Sequence, residues 1–212
     1  MKPQLRLEQA QLYLVLEARP HGEDPSTLLD AALRGGVDVV QLRDKELPDD
    51  ELVRAAEPFR RACAAHGALF VLNDRPDLVA ACGADGVHVG QADTPVPDAR
   101  AAVGPDRIVG LSIETEAQLD AIAGADYLGV GAVFATPTKT ESVAGGLELV
   151  RAAAARATIP WFAIGGIDLA NVAEVVAAGA PGVAVVRAIR DADDPEAAAR
   201  SLRAALGEPP AA

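Results

Sequence analysis

Val37–Leu42 (V-D-V-V-Q-L) has the β-branched density of a short buried strand and runs directly into Arg43-Asp44-Lys45. Alternate side chains of an extended chain share a face, so Gln41, Arg43 and Lys45 project together. Two cations and an amide at the carboxyl end of a buried strand suit the mouth of an anion site. Plain solvation of a strand end would account for Arg43 and Lys45 equally well. Other chemistry-bearing residues also follow apolar runs: Asn73-Asp74, Gln91 with Asp93, and Ser112. So do Thr136-Pro137-Thr138-Lys139, Gly165-Gly166 and Val186-Arg187.

Asp74 and Asp93 are the best candidates for metal ligands, because Mg²⁺ is commonly held by one or two carboxylates together with phosphate and water. Taken singly, Asp74 reads as a helix cap before Arg75-Pro76, and Asp93 as a turn residue before Thr94-Pro95. Their shared placement beside Arg43, Lys45 and Lys139 favours the metal. Gly165-Gly166 and Val186-Arg187 suit a phosphate approaching backbone N–H groups, although glycine also serves tight packing. His21 and His66 read as surface residues, and His88 fits a core or a site role. No Ser/His/Asp set, reactive cysteine or histidine cluster emerges. Cations, paired acids and hydroxyls suit a reaction in which pyrophosphate leaves and no strong base or nucleophile is needed.

Those residues must be carried by a regular scaffold. Strand-like runs recur at 12–16, 37–42, 68–72, 86–89, 108–111, 127–130, 161–164 and 183–186. Helical stretches separate them, the last opening at Asp193-Asp194-Pro195 with an acidic cap before a proline. Continuously apolar strands imply a parallel sheet covered by helices, and eight repeats imply a closed barrel. The expected fold is therefore an α/β, single-domain (β/α)₈ TIM barrel over residues 1–212, with the active site at the carboxyl ends of its strands. A doubly wound sheet is the alternative, weakened because no GxGxxG follows the first strand. Residues 1–10 read as a polar lead-in and 208–212 as a frayed tail. The stretch 132–146 exceeds the roughly two to six residues usual for such connections and reads as a lid or ligand loop.

Composition narrows the partners. Of 212 residues, half are hydrophobic and only 3% aromatic, so the core must be built from Ala, Val, Leu and Ile. The net charge of −12 argues against nucleic-acid or anionic-membrane partners, and any anionic substrate needs a locally positive site. Cations number nineteen, of which only Lys2, Lys45 and Lys139 are lysines; the internal two lie near strand ends, where a compact charge suits phosphate. Neither a signal peptide nor a bilayer-spanning run is visible, so a cytoplasmic protein is expected. Cys63 and Cys82 read as buried free thiols. A homo-oligomer is left open.

Taken together, the motifs resemble the thiamine phosphate synthase family from about Leu12 to Ile189. The resemblance rests on Q-L-R-D-K (41–45), N-D (73–74), D-G-V-H-V-G-Q-A-D (85–93) and G-L-S (110–112). It continues through G-V-G-A-V-F-A-T-P-T-K (129–139), A-I-G-G-I (163–167) and G-V-A-V-V-R-A-I (182–189). It implies condensation of hydroxymethylpyrimidine pyrophosphate with thiazole phosphate, or its carboxylated form, to give thiamine phosphate and pyrophosphate. By this resemblance Gln41, Leu42, Arg43, Asp44, Lys45, Asn73, Ser112 and Lys139 hold the pyrimidine pyrophosphate. Asp74 and Asp93 hold Mg²⁺, and Thr136, Pro137, Thr138, Gly166, Val186 and Arg187 hold the thiazole phosphate. Arg187 stands where the family often has Ser, and Ala144-Gly145 where many relatives carry prolines.

The implied mechanism is dissociative. Pyrophosphate leaves with help from Mg²⁺, Arg43, Lys45 and Lys139, and the thiazole nitrogen captures the pyrimidinylmethyl cation. Two alternatives are a thiazole tautomerase on the same scaffold and a non-catalytic phosphate-ligand binding protein.

Overall fold

Leu12–Leu16 (β1) is buried along its whole length, and its side chains divide between two cores. Leu12, Leu14 and Leu16 face a layer of helices, whereas Tyr13 and Val15 face a second cluster with Val39, Val71, Ile108 and Phe162. Apolar residues on both faces of a strand require a sheet that is covered outside and filled inside. The computed structural model, which describes residues 2–122, 124–135 and 145–207, meets that requirement with a closed barrel.

Helix α1 (Pro3–Leu7) precedes β1, and α2 (Ser26–Arg34), β2 (Val39–Leu42), α3 (Asp49–His66) and β3 (Leu69–Asn73) follow. A 3₁₀ turn at Pro76–Leu78 leads into α4 (Val79–Cys82), β4 (Gly86–Val89), α5 (Val96–Val103) and β5 (Ile108–Ile113). A further 3₁₀ turn, Glu116–Asp120, precedes β6 (Tyr127–Val130), α6 (Gly146–Arg156) and β7 (Trp161–Ile164). The chain ends with α7 (Val172–Ala177), β8 (Val183–Val185), α8 (Arg187–Arg190) and α9 (Pro195–Leu206). Neighbouring strands pair in parallel, and β8 pairs back onto β1 with Leu12 opposite Val183. The fold is the expected TIM barrel.

Several local expectations shift. Pro3–Leu7 lies within the expected lead-in yet forms a helix, because Leu7, only 2% exposed, joins the interior cluster at the amino end of the barrel. Strand β2 begins at Val39 and ends at Leu42, so Arg43 and Lys45 belong to the following loop. The stretch expected to be helical between β5 and β6 holds a 3₁₀ turn, fixed by reciprocal Thr115 and Gln118 capping. Strand β8 ends at Val185, one residue short of the expected 186, and Arg187 opens α8. The acidic cap before α9 is as expected, with the Asp194 carboxylate accepting the Ala197 N–H at 3.0 Å. Cys63 and Cys82 are free and buried. Among the described residues, no helix is long and apolar enough to cross a membrane.

A repeated device sets the amino-terminal rim. Glycines 36, 83 and 124 take positive φ, and each is followed two residues later by an aspartate just ahead of β2, β4 or β6. Each aspartate reaches back to the preceding strand: Asp38 accepts the Leu12 N–H (3.0 Å), Asp85 the Phe70 N–H (2.9 Å) and Asp126 the Val109 N–H (2.7 Å). Each also pairs with an arginine from outside the barrel, namely Arg203, Arg6 and Arg100. Before β8 the pattern reads Gly179-Ala180-Pro181, and the Pro181 carbonyl accepts from Gln11 Nε2.

Replacing one of these carboxylates leaves an N–H and a guanidinium without their partner. Asp126→Ala should therefore lower unfolding stability by about 2 kcal/mol in urea titration, and Asp126→Asn by less, because its amide oxygen still accepts from Val109. A stability for Asp126→Ala equal to that of the parent would remove the aspartates from this role.

Candidate active site

At the carboxyl ends of the strands lies a cavity of about 780 Å³. It gathers Gln41, Arg43 and Lys45 from the β2 end, Asn73 and Asp74 from β3, Asp93 from the β4 loop and Ser112 from β5. Gly166, Val186 and Arg187 close the opposite side. Leu42 points away into the helix-facing core, fully buried. Asp44 is not on the cavity wall, and its carboxylate accepts the Glu46 N–H at 3.2 Å. Thr136, Pro137, Thr138 and Lys139 lie outside the described residues, as does Ala144.

The acid cluster is tightly organised. Asp74 has a left-handed backbone (φ 58°), a conformation that Asp tolerates better than most residues, and its N–H donates to the His88 carbonyl at 2.8 Å. That turn sends the Asp74 carboxylate back to Lys45 Nζ (3.1 Å) and to the donating Asn73 Nδ2 (2.6 Å). Burial pushes the Asp74 carboxyl above the usual carboxylate range. The Lys45 ammonium pulls it down, and the nearby Asp93 carboxylate adds to the rise. Asp93 is held in turn by the Gly90 N–H at 3.0 Å. A Cβ on Gly90 would stand 2.6 Å from Asp93 Oδ2, so glycine is needed for that approach.

Two acids crowded beside one lysine can share a divalent cation, which would relieve their repulsion and leave coordination positions for phosphate and water. Among the described residues, no group of three or more potential metal ligands competes with this pair.

Some cations of the cavity differ from most others in their partners. Most arginines are committed to acids, such as Arg75 to Asp49 and Asp77 away from the cavity and Arg190 to Glu17 and Asp191 at its wall. Arg43 and Arg187, by contrast, line the cavity with no ion-pair partner among the described residues. Gly165 and Gly166 have φ of 108° and 67°, and a Cβ on either would come within 2.8 Å of the 132–134 segment. Both glycines pack closely there and also line the cavity.

Sequence reasoning overlooked Tyr13 and Tyr127, two of the few aromatics, which project into the barrel beneath these groups. His88, left between core and site, serves both: it lines the cavity and is hydrogen-bonded to Tyr127 and Ser112.

Residues 12–189 match the family model for thiamine monophosphate synthase. The chain belongs to that family. Its relatives include the thiamine-phosphate synthase of Streptomyces avermitilis, 50% identical over 93% of this chain and 94% of the relative. That of Thermobifida fusca is 49% identical over 95% of this chain and 94% of its own. The solved thiamine phosphate pyrophosphorylase of Pyrococcus furiosus superposes with a TM-score of 0.85 at 33% identity, covering 95% of this chain and 97% of that one. A 3-hexulose-6-phosphate synthase, at 21% identity and TM-score 0.66, shares the fold alone. The matched span of the thiamine monophosphate synthase family runs from β1 into α8 and so contains Gln41, Arg43, Lys45, Asn73, Asp74, Asp93, Ser112, Gly166, Val186 and Arg187.

Because Arg43 is exposed and makes no ion pair among the described residues, Arg43→Ala should leave the unfolding free energy from urea titration unchanged within about 0.5 kcal/mol. It should nevertheless weaken binding of inorganic pyrophosphate with Mg²⁺ by about tenfold or more in calorimetry, the effect of one charged hydrogen bond. Unaltered pyrophosphate affinity would take Arg43 out of the anion site.

Proposed function

We propose that the chain is a transferase that joins hydroxymethylpyrimidine pyrophosphate to thiazole phosphate, forming thiamine phosphate and releasing pyrophosphate. The observation that carries this reading is the meeting of Asp74, Asp93 and Lys45 in one cavity with the unpaired Arg43. That set suits a departing diphosphate. A thiazole tautomerase would have no use for it.

In this reading Arg43 and Lys45, with Lys139 from the stretch outside the described residues, neutralise charge that grows on the leaving oxygens. Asn73 holds the Asp74 carboxylate in place. Asp74 and Asp93 would bind Mg²⁺, which supplies further neutralisation of the pyrophosphate. Gly166, Val186 and Arg187, joined by Thr136, Pro137 and Thr138, receive the phosphate of the thiazole on the other side of the cavity. Gln41 and Ser112 fix the pyrimidine between the two anion sites, and the lack of a covalent nucleophile fits a reaction governed by positioning.

Incubating the protein with both substrates and Mg²⁺ should yield thiamine phosphate. Asp74→Ala and Asp93→Ala should each raise the Mg²⁺ requirement and cut kcat by about a hundredfold or more, the scale of losing one charge-stabilising group. Full activity in the double variant would refute the metal assignment.

A further inference from the structure

Beneath the ionic rim, hydrogen bonds link five strands across the interior of the barrel. Gln41 Nε2 of β2 donates to the Tyr13 hydroxyl of β1 (2.8 Å), which meets the Tyr127 hydroxyl of β6 at 3.0 Å. Tyr127 then meets His88 Nδ1 of β4 at 3.2 Å, and His88 Nε2 meets Ser112 Oγ of β5 at 3.0 Å. Space for the two rings is cut into the neighbouring strands. A Cβ on Gly110 would lie 2.2 Å from Tyr127 Cζ and 2.5 Å from His88 Nδ1, and one on Gly129 would lie 3.1 Å from His88 Cε1.

The hydrogens in this chain can be counted. Burial drives both tyrosine hydroxyls far above their ordinary range, so each keeps its one hydrogen. Tyr13 receives an amide hydrogen of Gln41, and the Tyr127 hydroxyl is the one acceptor within reach of its own hydrogen among the described residues. Tyr127 in turn gives its hydrogen to His88 Nδ1. An imidazole that accepts at Nδ1 carries its hydrogen on Nε2 and donates it to Ser112 Oγ. The hydroxyl hydrogen of Ser112 is then turned towards the cavity. At the far end, Gln41 has spent its Nε2 on Tyr13 and offers its Oε1 as an acceptor, with no partner among the described residues.

We propose that this chain of hydrogen bonds runs in one direction, holds His88 as its neutral Nε2–H tautomer, and makes the cavity floor a donor at Ser112 and an acceptor at Gln41. His88 and Tyr127 are thus positioning residues that set the hydrogen-bond polarity of a heterocycle site. Resting on the functional reading above, this polarity selects a pyrimidine that presents an exocyclic amino group to Gln41 and an unprotonated ring nitrogen to Ser112. The oxo analogue reverses both demands, carrying a carbonyl oxygen and a ring N–H. A buried site built for one pattern rejects the other because its own polar groups are left unpaired.

The direct test is long-range ¹H–¹⁵N correlation of histidine-labelled protein at neutral pH, with the three histidines assigned by single substitution. His88 should show the Nε2–H pattern, and Tyr127→Phe should convert it to a mixture. An Nδ1–H pattern in the parent would overturn the proposal, and this reading does not depend on activity.

In kinetics, Tyr127→Phe should raise KM for the pyrimidine pyrophosphate about tenfold and leave KM for the thiazole phosphate within about twofold. Equal rises in both would indicate a merely structural residue. The oxo analogue should inhibit at least a hundredfold more weakly than the amino compound binds, and equal affinity would overturn the polarity. Absence of any synthase activity would sink the functional reading while leaving the tautomer measurement to judge the proton order.

Discussion

Register is the constraint on which the rest depends. In a closed parallel barrel a one-residue slip would exchange inward and outward side chains along a strand, and the cavity would lose its residues to the helix layer. The aspartates ahead of β2, β4 and β6 oppose such a slip, each tied to the strand before it and to an arginine outside. Their work is done at the amino rim, yet its consequence is felt three residues on, where Gln41, His88 and Gly129 emerge inside the barrel. Separation of this kind lets the catalytic end carry strained turns such as Asp74 without placing strand pairing at risk.

Charge is partitioned by the same architecture. A chain of net charge −12 would repel phosphate if its cations were spread evenly, but the ion pairs around the outside absorb most arginines locally. What remains uncommitted among the described residues includes Arg43 and Arg187 at the cavity. Opposite them, Asp74 and Asp93 stand close enough that burial and mutual repulsion raise the Asp74 carboxyl despite Lys45. This is a poor arrangement for stability alone and a good one for attracting a divalent cation together with an anion.

Legibility in the sequence followed the length and regularity of each signal. The strands at 86–89, 127–130 and 161–164 stood out because each is a short apolar run closed by a breaker, and their bounds agree with the structure. The short helices did not, since Pro3–Leu7 and Arg187–Arg190 span about a turn each and owe their existence to packing against the barrel ends. Residues such as Arg43, Asp74 and Asp93 were legible because a charge after an apolar run is conspicuous. Tyr13 and Tyr127 were not, because inside a strand they look like any large core residue. Only closure of the barrel brings β1 and β6 within hydrogen-bond reach, and no local pattern encodes that meeting. Leu42 shows the opposite limit: adjacent to Gln41 and Arg43 in a motif, it faces the other way by strand alternation.

That hidden polar chain bears on how the barrel could afford an interior of tyrosines and an imidazole. An aliphatic filling would be easier to stabilise, since buried hydroxyls gain little net free energy even when fully bonded. Aliphatic side chains, however, could not present a donor and an acceptor whose hydrogens are ordered before any ligand arrives. A network whose hydrogens are already assigned has no reorganisation left to undergo when a heterocycle binds. The glycines at 110 and 129 belong to the same bargain, giving up side-chain packing on β5 and β6 so that the Tyr127 and His88 rings can meet. Stability surrendered in the middle of the barrel is thereby turned into orientation at its mouth, directly below the charged rim.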